Sequence, residues 1–242
     1  MGKEAMKRPA FYAPTGSMSG DLVAILHPPY TAWHLTYVAI GSSLAPTLDE
    51  VVMLGTLLAF FFGTGIGAHA LDELKGRPLR TKLSDRFLKG LAIVGIGAAL
   101  AVAGLGASVI SPLVWGWALA GALLAMGYAL EWPGWLHTTT GFSLAWGAFP
   151  VLVGYWAQTE SISLGALAVA GAATLLSAAQ RTLSSPARQI RRRVDRAELR
   201  ATSGEATEIW PEERVLATWE RPLRLLAWAM VALAVGLVLT KL

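Results

Sequence analysis

Three ionisable side chains sit where a long apolar run of this chain gives way to a charged loop. They are His69, Asp72 and Glu73, followed closely by Lys75, Arg77 and Arg80. Ionisable groups at the edge of a membrane span are costly to bury and tend to be functional. On a helix, His69, Asp72 and Gly76 fall at i, i+3 and i+7 and share one face, with Glu73 about 100° round from Asp72. Carboxylates placed there suit Mg²⁺ and, through it, a diphosphate. Arginines just beyond the helix end offer planar donors to phosphate oxygens. A plainer account pairs Asp72 and Glu73 with Lys75 and Arg77 as ordinary helix-end charges.

The elements that must position these residues read as membrane helices. Of 242 residues, 54% are hydrophobic and 15% charged, against about 25% charged in a soluble domain. Apolar runs of about 20 residues recur, long enough to cross a bilayer as helices. They are continuous and rich in Ala, Gly and Leu, which suits packed membrane helices and excludes the alternation of a transmembrane barrel. The expected fold is an all-α polytopic bundle of about seven spans. These cover residues 22–44, 51–71, 87–109, 112–130, 140–157, 164–180 and 223–242, the first interrupted by His27, Pro28 and Pro29. A turn there, followed by a shorter helix from near Tyr30, fits the two prolines. Residues 1–20 read as a flexible polar arm with no signal-peptide core, and 21–242 as a single transmembrane domain. Within that domain 182–221 forms a basic polar loop, with Pro186 ending the sixth helix and one or two short interfacial helices beyond. No cysteine is present, so disulfides and thiolate metal sites are excluded.

Charge is distributed to match. Every Lys and Arg except Lys241 falls in the N-terminal arm, the loop after the second span, or the segment from Arg181 to Arg224. With seven spans, all of these lie on one face, which predicts a cytoplasmic N-terminus. The net charge of +4 is thereby explained by topology and anionic lipid, with no nucleic-acid partner. His34 lies in an apolar span, where an interhelical hydrogen bond is a more ordinary role than lining a cavity. Most of the ten Trp residues fall near span ends as an aromatic belt; some are placed to line an isoprenoid cavity instead.

The stretch Ala68-His69-Ala70-Leu71-Asp72-Glu73-Leu74-Lys75-Gly76, followed by Arg77-Pro78-Leu79, resembles the first acidic motif of the UbiA superfamily of intramembrane prenyltransferases. That motif reads Asn-Asp-x-x-Asp-x-x-x-Asp, and Asp72 falls on its middle aspartate. Gly147–Thr159 (GAFPVLVGYWAQT) and Tyr128 resemble further family positions on the fifth and fourth helices. The resemblance covers about residues 25–200. The family's second acidic motif belongs after the sixth helix, where this chain carries AQRTLSSPAR and no carboxylate before Asp195. Family members usually have about nine helices, two more than the spans counted here. The resemblance implies transfer of an isoprenyl chain from a prenyl diphosphate to a lipophilic acceptor. It also implies that Asp72 and Glu73 hold Mg²⁺, with His69 at a family metal position, and that Arg77, Arg80, Arg181 and Arg188 contact the diphosphate. The missing second cluster points to an alternative: a catalytically silent descendant that binds a prenyl lipid or assists a membrane complex.

Overall fold

A computed structural model describes residues 8–13 and 17–242; the expectation of a flexible arm falls partly on 1–7 and 14–16, outside the described residues. The short helix α1 (Met18–Ile25) stops before His27, whose φ is +45°, and Pro28 and Pro29 then open α2 (Pro28–Ser43). Proline at the first helical positions forfeits no hydrogen bond and presets φ, so the expected turn and restart occur in one step. Asp49 caps α3 (Glu50–Leu74) by accepting from the Val51 and Val52 amides, and Ser84 caps α4 (Asp85–Val109). Next come α5 (Val114–Ala129), α6 over residues 139–159, and α7 (Leu164–Arg193). An antiparallel hairpin of β1 (Glu198–Ser203) and β2 (Ala206–Pro211) precedes α8 (Glu212–Leu239). Both α3 and α6 contain a π-helical stretch, Phe61–Ala68 and Leu144–Ala148 respectively.

Among the described residues, four helices are long and apolar enough to cross a membrane: α3, α4, α7 and α8. α2 is shorter and is the hub of the bundle. Its Trp33, Tyr37 and Ile40 pack against Val151 of α6, Ala170 and Ala173 of α7, and Ala227, Met230 and Ala234 of α8. A Cβ at Gly41 would overlap the Val151 carbonyl, and one at Gly154 the Val38 carbonyl. Small residues let α2 and α6 touch backbone to backbone, as membrane helices prefer. Without water, polar groups in such a core must satisfy one another. Accordingly, Tyr37 Oη accepts from Trp33 Nε1 at 2.8 Å and donates to the Ala173 carbonyl at 3.1 Å.

Three sequence expectations change. Pro186 does not end α7, which runs on to Arg193. An interior proline costs about 3 kcal/mol, and the extension is held by Arg191, which grips Glu220 of α8 at 2.5 and 2.8 Å. The 182–221 segment holds no short interfacial helices; it is the end of α7, an exposed hairpin and the start of α8. Residues 8–13 are not a loose arm either. Ala10 and Ala13 are buried with Ala24, Ile25, Leu79, Leu83 and Leu88, and Arg192 Nε donates to the Pro9 carbonyl at 3.3 Å.

That last bond, with Arg80 Nη2 donating to the Arg192 carbonyl at 2.9 Å, gathers the N-terminal strap, the α3–α4 loop and the end of α7 at one pole. At the other pole, Lys241 Nζ reaches the Ala45 carbonyl and Gln158 brackets the Asp49 backbone. The basic segments therefore do share one end of the bundle.

Candidate functional site

Between α3, α4, α5 and α6 lies a cavity of about 490 Å³, inside the roughly 300–1,000 Å³ range of ligand sites. It follows α3 from Val51 to Thr64, about 20 Å of helix axis. Glycine keeps it open: Gly55 lines the wall with no atom within 4 Å of where its Cβ would be, and Gly121 makes room for Phe149. Aromatic rings form the far side. Trp117 meets Phe149 and Trp156 at 5.9 and 5.8 Å between centroids, and Phe60 meets Phe149 at 6.0 Å. Leu54, Leu58 and Leu105 on the wall are exposed, and the cavity is open rather than sealed.

His34 of α2 and Trp146 of α6 bound the cavity where it meets the hub. Pro150 has no N–H to give the carbonyl four residues back, which is that of Trp146. His34 Nδ1 faces this carbonyl at 3.3 Å. His34 is 6% exposed, and its Nε2 has no hydrogen-bond partner among the described residues.

Asp72 lies eight residues beyond Thr64, about 12 Å further along α3. Glu73, 1% exposed, turns into the α3–α4 loop. Its Oε2 accepts from the Leu79 amide at 2.9 Å, and its Oε1 from the Thr81 amide at 2.8 Å and the Thr81 hydroxyl at 2.9 Å. Those bonds hold a loop in which Gly76, Arg77 and Arg80 all have positive φ, a conformation costly for arginine. Arg77 completes it by donating to the Leu83 carbonyl at 2.6 Å and pairing with Asp85. Lys75 bonds the Leu130 carbonyl and pairs with Glu131 at 3.0 Å. So the ordinary pairing of Asp72 and Glu73 with Lys75 and Arg77 does not form: both cations choose other carboxylates.

A layer of rings separates Asp72 from the cavity. His69 donates from Nδ1 to the Gly65 carbonyl at 3.2 Å and stacks on His27 at 4.3 Å. Tyr12 Oη of the strap shares a hydrogen bond with His27 Nδ1 at 2.6 Å. Burial, with Tyr30 adding to it, pushes the Tyr12 phenol up, so it stays protonated. Asp72 is within electrostatic reach of Arg192, Arg188 and His137. The space among Tyr12, Tyr30, Arg188 and Glu220 is only about 10 Å³, room for about one water.

Of the residues singled out from sequence, only Arg188 stays within electrostatic reach of Asp72, and the rest are taken up elsewhere. Glu73 serves the loop, Arg77 pairs with Asp85, and Arg80 holds the end of α7. Arg181 ties α7 to α5 and the following turn through Tyr128 Oη and the His137 carbonyl, and lies 5.0 Å over Phe142. His69 is committed to Gly65, and Asp195 is exposed. Mg²⁺ takes six oxygens with near-octahedral geometry. Asp72 is the one carboxylate here without a structural hydrogen bond among the described residues, and no three His, Asp or Glu side chains gather there. The residues do not fit that ion.

Sequence reasoning missed the cavity, the bare Nε2 of His34, and Arg192. The last was legible: 181, 188 and 192 lie on one face of a helix continued past Pro186. No protein-family model, curated protein or solved structure matches this chain, so function is read from its residues.

Proposed function

We propose that this is a multi-pass membrane protein that binds a prenyl lipid in the chamber between α3, α4, α5 and α6. Its N-terminus and basic loops face the cytoplasm, as the pole carrying the N-terminal strap and nearly all the arginines favours. One observation carries the reading: an apolar, aromatic-walled cavity of about 490 Å³ that is open rather than sealed. A branched, unsaturated chain gains dispersion contacts with the aromatic wall and loses none of the hydrocarbon environment it leaves. The fold is then that of a shortened UbiA-like bundle with its lipid chamber kept and its metal machinery reduced.

Lipid extraction from protein purified in nanodiscs, read by mass spectrometry, tests this. Gly55→Phe fills the chamber without a backbone clash, because nothing lies within 4 Å of the added Cβ. The expected result is a prenyl lipid enriched over bulk lipid in the wild type and at least tenfold depleted in the variant. Equal lipid profiles in the two would overturn the reading.

Prenyl transfer from a diphosphate to a lipophilic acceptor is the second reading, favoured by Asp72 within electrostatic reach of Arg192 and Arg188. It requires the strap carrying Tyr12 to leave the basic pole before a diphosphate has room. Release of diphosphate from a prenyl diphosphate, assayed with and without EDTA, separates it from binding alone.

A further inference from the structure

Given a lipid in the chamber, as proposed above, we infer that His34 recognises a hydroxyl on it, a lipid alcohol or phenol whose O–H donates to Nε2. The chemistry follows from which nitrogen carries the proton. A neutral imidazole has one N–H and one lone pair. Nδ1 faces the Trp146 carbonyl, which only accepts, so the proton sits on Nδ1 and Nε2 is left as an acceptor. That acceptor belongs to a residue 94% buried in the chamber wall and has no partner among the described residues; Nε2 itself is closed off, so a ligand hydroxyl reaches it as the imidazole or one of the flanking rings turns. A buried polar group without a hydrogen bond is costly, and such groups in native structures call for a specific explanation, such as a functional role or a bound partner.

The surrounding wall explains why the group must come from the ligand. Phe60 and Trp146 flank the ring at 5.4 and 6.5 Å between centroids. The nearest histidine along the polar layer, His69, is committed to the Gly65 carbonyl. Thr56, also on the chamber wall, donates to the Val52 carbonyl of its own helix at 2.8 Å. A ketone or ester presents only acceptors to Nε2 and is rejected, while an alcohol, phenol or quinol supplies the missing donor. A ligand without the O–H leaves this acceptor unpaired, which sets a preference of the size of one net hydrogen bond. Because α6 supplies the carbonyl that fixes the tautomer, Pro150 sets the specificity of a histidine on another helix.

Competition binding to the full-length protein in nanodiscs tests this, with geranylgeraniol and its methyl ether as probes. The two share a chain and differ in one O–H. In the wild type the alcohol is expected to bind about 3- to 10-fold tighter, the size of one net hydrogen bond. His34→Phe should weaken the alcohol to the level of the ether and leave the ether unchanged, and His34→Gln, which keeps an acceptor, should restore part of the preference. Equal binding of both probes to the wild type overturns the role of His34 and leaves the chamber reading intact. Binding of neither overturns both. The wild-type comparison stands even where a variant fails to fold, and a preference that survives in folded His34→Phe assigns recognition to another group.

Discussion

Replacing Glu73 by Gln separates a loop anchor from a metal ligand. The side chain is 1% exposed and takes three donors, from Leu79 N, Thr81 N and Thr81 Oγ1, at 2.8–2.9 Å. Hydrogen bonds to a charged group are worth about 1.5–3 kcal/mol each, roughly twice a neutral one. Glutamine keeps one oxygen, which serves both Thr81 donors at about half strength, a loss of about 2 kcal/mol. Its NH₂ then faces the Leu79 amide, leaving a buried donor unpaired at about 1–3 kcal/mol. The sum is about 3–5 kcal/mol. At about 2–4 °C per kcal/mol for a chain of this size, Tm should fall by about 10 °C in a metal-free buffer. The assay is intrinsic tryptophan fluorescence during heating in detergent, with limited trypsin cleavage at Arg80 and Lys82 as a local readout. Faster cleavage should accompany the lower Tm. A Tm within about 2 °C of wild type with an unchanged cleavage rate would refute the anchoring role, and loss of Mg²⁺-dependent diphosphate binding in that stable variant would restore Glu73 as a ligand.

Other perturbations follow from the same geometry. Glu220→Ala leaves Arg191 without its partner between α7 and α8 and should cost about 3 kcal/mol, measured by thermal unfolding; the double change of Arg191 and Glu220 to Leu should recover most of it. Gly154→Val drives a side chain into the Val38 carbonyl and should cost about 3 kcal/mol or prevent folding, whereas Gly97→Ala, where nothing lies within 4 Å, should be neutral or better. Asp72→Asn should leave enrichment of a chamber-bound lipid unchanged, while the transferase reading expects loss of diphosphate release. Lys75 holds the Glu131 carboxyl below its usual range, first by the hydrogen bond and then by its charge. A lowered folded pKa means this support is present above about pH 4.3, the unfolded value, and is lost as pH falls through the folded one. The Tm gap between wild type and Lys75→Met should therefore close between pH 7 and pH 3; a gap that persists at pH 3 would assign Lys75's effect to its bond with the Leu130 carbonyl.

What the chain determines by itself is local. Runs of apolar residues specify helices long enough for a bilayer, because backbone groups in lipid have no other partner. His27, Pro28 and Pro29 specify the break before α2, since proline restricts the residue before it and opens a helix after it. Clustered Lys and Arg mark one pole, and the stop of α3 near Asp72 is written in the shift from apolar to charged residues. Tertiary structure decided the rest. Pro186 and Pro222 remain inside helices because interhelical packing and the Arg191–Glu220 pair offset a local cost that sequence rules count alone. Glu73 and Asp72 are neighbours of like chemistry, yet one is taken up by amides six and eight residues on, and only the folded loop shows which. His34 looked like an ordinary satisfied histidine. Half of that holds, at Nδ1, through a carbonyl 112 residues away that Pro150 leaves free. The bare Nε2 and the chamber beside it exist only where four helices fail to fill the space between them, and a void has no residues of its own to be read.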